Sequence, residues 1–371
     1  MIDRKNLLIP RLALVGGFLG AGKTTLIERL STILSDRGHK TAIVTNDQGG
    51  GLVDTATSQQ TNTESVAEIT GGCFCCKLDD LVDTLKQLSE RSRPDVILAE
   101  PVGSCTDLTA TVILPLEQVY RLPLTLSPFT VVLDARRALS TLGGKPTRRS
   151  LTKDVGYIYR KQIEEAQWLV INKVDILPED ELLDLQNRLN EQYPTKRIFT
   201  VSARTGQGVE ELLNALLATE SSTPQIMDVD YERYGIGEAL LGWYNATLEI
   251  TTVEPIDTGT WLLQLAKNIT GAMEQHNIEV GHMKMSLETK NGLIRVHQVL
   301  SGVEPEIVGD GADFQGEGTL LINLRAEADP AVLEKIVQKA VDAAKGVSIV
   351  WREKAAFRPG QPTPTHRVAA V

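Results

Sequence analysis

Residues 17–24 read Gly-Phe-Leu-Gly-Ala-Gly-Lys-Thr, directly after the apolar run Leu12–Gly16 and directly before a helical pattern. Few eight-residue strings restrict a fold as much. The GxxxxGKT spacing works at a strand–loop–helix junction, where glycines let backbone N–H groups curl around phosphate oxygens at the positive end of the helix. The chain is therefore read as an α/β protein built on a P-loop, with Gly17, Gly20 and Gly22 shaping the loop. Lys23 is placed to reach the β- and γ-phosphates, and Thr24 to ligate Mg²⁺.

The rest of the first 220 residues agrees with that junction. Short apolar runs at Leu12–Gly16, Thr41–Asn46, Val96–Glu100, Thr130–Asp134, Trp168–Asn172 and Arg197–Val201 read as strands of a mostly parallel sheet. Helical patterns follow at Thr24–Arg37, Asp79–Arg91, Glu179–Gln192 and Gly208–Ala218. This divides the chain into a P-loop domain over 1–220, a linker over 221–240 with SSTPQ at its start, and a second domain over 241–356. In the second domain a strand, a helix, a hairpin, a strand, a helix and a last strand follow in turn, the order of a smaller ferredoxin-like α+β domain with one edge altered. The tail 357–371 has three prolines and little periodicity, so it is expected to order only by docking.

Strand ends of an open α/β sheet deliver its chemistry. Ile171–Asp175 reads INKVD. It resembles the specificity element of G-proteins, which implies that Asn172 and Lys173 buttress the base while the Asp175 carboxylate accepts the N1–H and exocyclic amine of guanine, a pattern that adenine lacks. Val201–Gly206 reads VSARTG, in which Ser202 and Ala203 belong to a further loop offering a backbone N–H to the guanine carbonyl. GTP is thus favoured over ATP. Glu100 ends the strand VILAE and is assigned a contact to Mg²⁺ or to the attacking water. Asp47, after the second strand, is placed where a switch loop meets the γ-phosphate. The catalytic set is then Lys23, Asp47 and Glu100. Asp134 ends another strand at the same edge, with no specific role.

Three of the four cysteines fall in the run GGCFCC, as Cys73, Cys75 and Cys76. So tight a cluster excludes a disulfide framework and fits reduced thiols in a cytoplasmic protein. Cys73 and Cys75 are spaced to chelate one ion across a turn eased by Gly71 and Gly72, and Cys76 adds a third thiolate at a helix N-terminus, which favours the charged form. Thiolates select Zn²⁺, Cu⁺ or Fe, with Zn²⁺ placed first here, and accommodate Co²⁺ or Ni²⁺; hard cations would choose oxygen. A structural zinc site takes four protein ligands, so the fourth is left open between Cys105, Asp47 and a partner. The formal charge of −10 offers no basic field for nucleic acid, and no apolar run is long enough to span a membrane.

In this order, GGFLGAGKTTL, the ND pair with its following glycines, GGCFCC, ExxG and NKVD resemble the CobW-type GTPases, relatives of the GTPases that help insert nickel into hydrogenase and urease. The resemblance covers residues 11 to about 217 and is looser beyond. It implies a GTPase domain with a metal site linked to its nucleotide switches, and a role as metallochaperone or metallocentre-assembly factor. By position it adds Thr25 to Gly22, Lys23 and Thr24 as phosphate and Mg²⁺ contacts. The partner implied is a client metalloenzyme or cofactor-dependent enzyme, with a homodimer left open. The alternative is a GTPase chaperone that gates cofactor loading or reactivation of a cobalamin or corrinoid enzyme. Two positions depart from the family pattern. Gly50 stands where the family's NEFGE carries its second acid, and Glu100-Pro101-Val102-Gly103 replaces the family's EStG.

Overall fold

A computed structural model describes residues 9–47, 65–142, 151–222, 225–309 and 311–369, without the side chain of Asp47. In the first half, β1 (Arg11–Gly16), α1 (Lys23–Asp36), β2 (Thr41–Asp47), β3 (Ser65–Thr70), α2 (Leu78–Arg91) and β4 (Val96–Glu100) lead into two wide π-type turns, Thr109–Ile113 and Pro115–Val119. Then come β5 (Thr125–Leu126), β6 (Thr130–Asp134), α3 (Ala135–Leu142), α4 (Val155–Glu165), β7 (Trp168–Asn172), α5 (Glu179–Gln192), β8 (Arg197–Thr200) and α6 (Val209–Ala218). The strands pair in the order β3-β2-β4-β1-β6-β7-β8, all parallel, with β5 added beside the start of β1.

The central strands are buried on both faces, which is why they read as unbroken apolar runs rather than alternating ones. Leu12, Leu14, Ile97, Ala99, Val131 and Leu133 face one core layer; Ala13, Val15, Leu98 and Val132 face the other, against Leu26, Ile27, Leu30 and Leu34 of α1. A parallel sheet aligns its strand ends, so the C-terminal residues of β1, β2, β4, β6 and β7 gather at one edge.

The 221–240 stretch, expected as linker, carries an ordered helix, α7 (Tyr231–Leu240), capped by Asp230 and packed on α4. Its neighbour Trp243 and its own Tyr234 join the core of the first half. Beyond it lie β9 (Gly242–Asp257), α8 (Thr258–Gln275), β10 (Val280–Thr289), β11 (Gly292–Gln298), β12 (Glu306–Val308), β13 (Asp313–Ala326), α9 (Pro330–Asp342) and β14 (Ser348–Phe357). Their antiparallel sheet runs β12-β11-β10-β13-β9-β14. Strands β9, β10, β13 and β14 with α8 and α9 form the β-α-β-β-α-β unit expected from the sequence. The altered edge is the pair β11–β12, inserted between β10 and β13 and extending the sheet beyond β10. Both helices start on an aspartate cap, Asp257 accepting from Thr260 N–H and Asp329 from Ala331 N–H.

Candidate functional site

The loop after β1 is held by its glycines. Gly22 precedes α1 in the left-handed region, φ 89°, and a Cβ there would sit 2.4 Å from Asn172 Nδ2. The loop after β1 and the loop that carries Asn172 are therefore one packed unit. Asn172 donates from Nδ2 to Ala21 O (2.9 Å), while its Oδ1 accepts from the N–H groups of Lys173 and Ala203 (2.8 and 3.0 Å). Ser202, fully buried, accepts from Thr205 N–H. Lys173 donates to Gly20 O (2.9 Å) and pairs with Asp134 at 2.8 Å.

That ion pair gives Asp134 the role its sequence did not reveal. Burial works to raise its carboxyl, but the Lys173 charge and hydrogen bond, with the N–H of Arg137, prevail and hold it below the usual carboxylate range. Asp175 is likewise held low: Ser202 and the Arg204 guanidinium outweigh the burial that would raise it. Arg204 also pairs with Glu306 of β12 at 2.8 Å, so the loop after β8 touches the second sheet.

At the phosphate end Lys23, Thr24 and Glu100 converge. Thr24 Oγ1 donates to Glu100 Oε1 at 3.1 Å, and Lys23 Nζ lies 3.7 Å from the same oxygen. A hydroxyl and a carboxylate side by side at the mouth of a P-loop are hard oxygen donors, and fit Mg²⁺. Gly20, Gly22, Thr24, Thr25, Glu100, Asn172, Lys173, Asp175 and Ala203 all line one cleft of 680 Å³. Gly17 lies just outside it: a Cβ there would stand 2.3 Å from Val132 O, so its glycine character serves the approach of the loop to β6. Asp47 ends β2, but its side chain and the stretch 48–64, with Gly50, lie outside the described residues.

Asn46 is a residue that sequence reasoning passed over. It lines the cleft at the end of β2, donates to Ile69 O (2.9 Å) and Gly72 O (2.7 Å), and accepts from Phe74 N–H (2.7 Å). Three hydrogen bonds thus tie the wall of the cleft to the loop that carries the cysteines.

In that loop Gly71 takes φ 77°, and the N–H groups of Cys76 and Lys77 both close on Cys73 O. The three sulfurs meet: Cys73 to Cys75 is 2.7 Å, Cys73 to Cys76 is 3.1 Å and Cys75 to Cys76 is 3.8 Å. All three are free of disulfides. A tetrahedral ion with metal–sulfur bonds of about 2.3 Å needs sulfurs about 3.8 Å apart, so loading would spread Cys73 from its neighbours. Buried Cys105 hydrogen-bonds to the same group. Bonds from Cys105, Cys75 and Cys76 hold Cys73 far below the ordinary thiol range, while Cys75 is pushed up by Cys105, Cys73 and Cys76, and Cys105 by Cys73; Cys76, expected to favour its charged form at a helix N-terminus, is instead pushed up by Cys73. Cys73 is thus the cysteine of the group that most readily takes the charged form, and thiolate sulfur suits a soft cation.

The tail docks here. Thr363 N–H donates to Cys76 Sγ (3.3 Å), Thr365 N–H to Cys75 O (2.8 Å), and Arg367 pairs with buried Asp107 at 2.7 Å. His366 rests edge-on against Tyr120. Beneath the cluster, Glu238 of α7 is fully buried, and its carboxyl is pushed up to about 8 by desolvation, with the Cys73 charge adding to it.

The profile of the CobW/HypB/UreG nucleotide-binding domain matches residues 11–200. The "Zinc chaperone CobW" of Sinorhizobium is 25% identical over 231 residues, 56% of this chain and 63% of that protein. The "Zinc-regulated GTPase metalloprotein activator 1" of Schizosaccharomyces pombe is 26% identical over 191 residues, 49% of this chain and 43% of that one. The chain thus spans about half the length of the curated relatives it matches. HypB from Helicobacter pylori, solved in complex with nickel, aligns over 56% of this chain and 86% of its own at 18% identity, with a TM-score of 0.40. With the profile covering just over half of its length, the chain belongs to the CobW/HypB/UreG nucleotide-binding domain family.

Proposed function

We propose that the chain is a GTP-hydrolysing metallochaperone. Guanine is read by Asp175 with Asn172, Lys173, Ser202 and Ala203, and the phosphates and Mg²⁺ are held by Gly20, Gly22, Lys23, Thr24 and Thr25. Glu100 and Asp47 act at the γ-phosphate, where hydrolysis is a matter of positioning and electrostatics. The metal is cargo, carried by Cys73, Cys75 and Cys76. Zinc comes first among candidates, since thiolates suit it and the two curated relatives are named for it; Co²⁺ and Ni²⁺ fit the same donors. A client metalloenzyme receives it, in the reducing cytoplasm that free thiols require. Among the described residues no helix is long and apolar enough to cross a membrane.

The observation that carries this reading is Asn46. One residue at the end of β2 forms part of the nucleotide cleft and fixes the backbone on both sides of Cys73. A displacement of that strand end by the γ-phosphate is transmitted to the thiolates within one side chain. Such coupling typically amounts to about 1–3 kcal/mol and is reciprocal. Anaerobic titration of the reduced protein with Zn²⁺, Co²⁺ and Ni²⁺, once with GDP and once with a non-hydrolysable GTP analogue, tests it. A stoichiometric thiolate site whose affinity differs several-fold between the two nucleotides is expected. Metal binding indifferent to nucleotide would remove the chaperone reading.

A further inference from the structure

The second sheet has two unlike faces. Met283, Met285 and Leu287 of β10 and Ile294 and Val296 of β11 point into the core beneath α8 and α9. Side chains alternate along a strand, so His282 and Lys284 with Arg295 and His297 fall on the opposite face. Register places Lys284 across from His297, and His282 across from Arg325 of β13. This basic face is turned toward the P-loop, not toward solvent. His282, Lys284, Arg295, His297 and Arg325 line the same cleft as Lys23, Thr24 and Glu100.

The approach is close. A Cβ on Gly20 of the phosphate loop would stand 2.6 Å from Val299 Cγ1, and one on Gly281 would stand 3.2 Å from Leu19 Cδ1. His282 is only 9% exposed and its Nδ1 has no hydrogen-bond partner; the same holds for Arg295 Nε. Burial, and then the charges of Lys284, Arg325, Lys23 and His297, drive His282 toward its neutral form. Lys284 and Lys23 therefore lie within electrostatic reach of one imidazole. Among the acids on the cleft walls, Glu100 meets Thr24 and Lys23, and Asp175 and Glu306 both meet Arg204. In a chain of net charge −10, basic side chains gathered at one phosphate loop reverse the local sign of charge and suit the cleft to an anion.

We propose that this face is the second half of the nucleotide site. Lys284, supported by His282, binds the terminal phosphate of the GTP held in the P-loop, so that the C-terminal domain reads whether a γ-phosphate is present. The inference rests on the GTP reading of the cleft and deepens it, making the second domain a cis-acting sensor of the hydrolysis step. Cations on the γ-phosphate are the recurring device of phosphoryl transfer.

Affinities for GDP and for a non-hydrolysable GTP analogue, measured by fluorescence on the full chain, decide the matter for wild type, Lys284→Gln and His282→Gln. Thermal melts alongside establish that each variant is folded. Lys284→Gln is expected to weaken the GTP analogue at least tenfold while GDP stays within twofold, and His282→Gln to move in the same direction. Equal losses for both nucleotides, or none, would overturn the proposal while leaving the P-loop reading intact. A wild-type protein that binds neither nucleotide would instead remove the GTP reading, and this inference with it.

Discussion

Glu238 shows how much a single buried carboxyl can set. It lies under the cysteine loop, with desolvation pushing its pKa from the ordinary carboxylate value to about 8. Between pH 4.5 and 8 the folded chain therefore keeps a proton that the unfolded chain has released. Its contribution to stability is fully present below pH 4.5 and is lost as pH rises toward 8, by an amount on the order of 4 kcal/mol. Glu238→Gln mimics the protonated form at every pH. Its melting temperature is expected to match wild type near pH 5 and to exceed it by several degrees at pH 8; parallel curves across that range would show that Glu238 is not the group responsible. Nothing in the sequence marks this residue, because one glutamate in YERYGIGEAL reads as surface. Asn46 was hidden in the same way, and so was the partner of Asp134, which the sequence marks only as a strand-end carboxylate. Motif residues such as Lys23, Thr24, Asn172 and Asp175 announce themselves by spacing, whereas the groups that position them depend on contacts across the fold, Asp134 with Lys173 and Asn46 with Gly72.

At the scale of elements, what could be read was set by burial. Strands enclosed on both faces, such as VILAE and TVVLD, stood out as apolar runs, and the structure places them at the expected residues. Edge strand β3, SVAEIT, is half exposed and mixes polar with apolar residues, so it carries no such signature. The π-type turn TATVI is rich in β-branched residues that favour strands. Helix α7 contains Gly235 and Gly237, which count against a helix, yet a Cβ on Gly237 would meet Asp154 O at 2.8 Å. Glycine is there to let α7 lie close on α4. The tail is the element with the most direct consequence for cargo. The Thr363 N–H and the Thr365 hydroxyl both donate to Cys76, at Sγ and O, and its Arg367 anchors it to Asp107. It adds no strand to either sheet, so removing residues 358–371 is expected to leave both cores folded. Alkylation of Cys76 by a water-soluble maleimide should then accelerate several-fold, and thiolate-bound zinc should pass to a chelator faster. Unchanged rates for both would mean that the strap does not control access.

At the scale of the whole molecule, the two sheets are joined by a buried bolt. Arg137 starts from α3, immediately after Asp134, lies over the Phe18 ring, and donates across the interface to Val280 O and Gly281 O at 3.0 and 3.2 Å and to Val299 O. Its charge also faces Glu279, whose carboxyl burial has raised. A continuous path thus runs from Lys173 through Asp134 to Arg137, and on to the strands that bring the basic face over the P-loop. Arg137→Met keeps the apolar stem but strips three carbonyls and one carboxylate of their partner, a loss on the order of 3 kcal/mol for a buried group. The first sheet does not depend on these bonds, so the damage should fall on the interface. Hydrogen exchange is expected to show faster amides around residues 280–282 and 299, with those of β1, β6 and β7 unchanged. If the C-terminal sheet contributes to holding the terminal phosphate, the same variant should lose more affinity for a GTP analogue than for GDP, although residue 137 does not line the cleft. Loosened amides with an unaltered GTP-to-GDP preference would separate the two roles, leaving Arg137 as a purely structural link and the basic face without a part in reading the nucleotide.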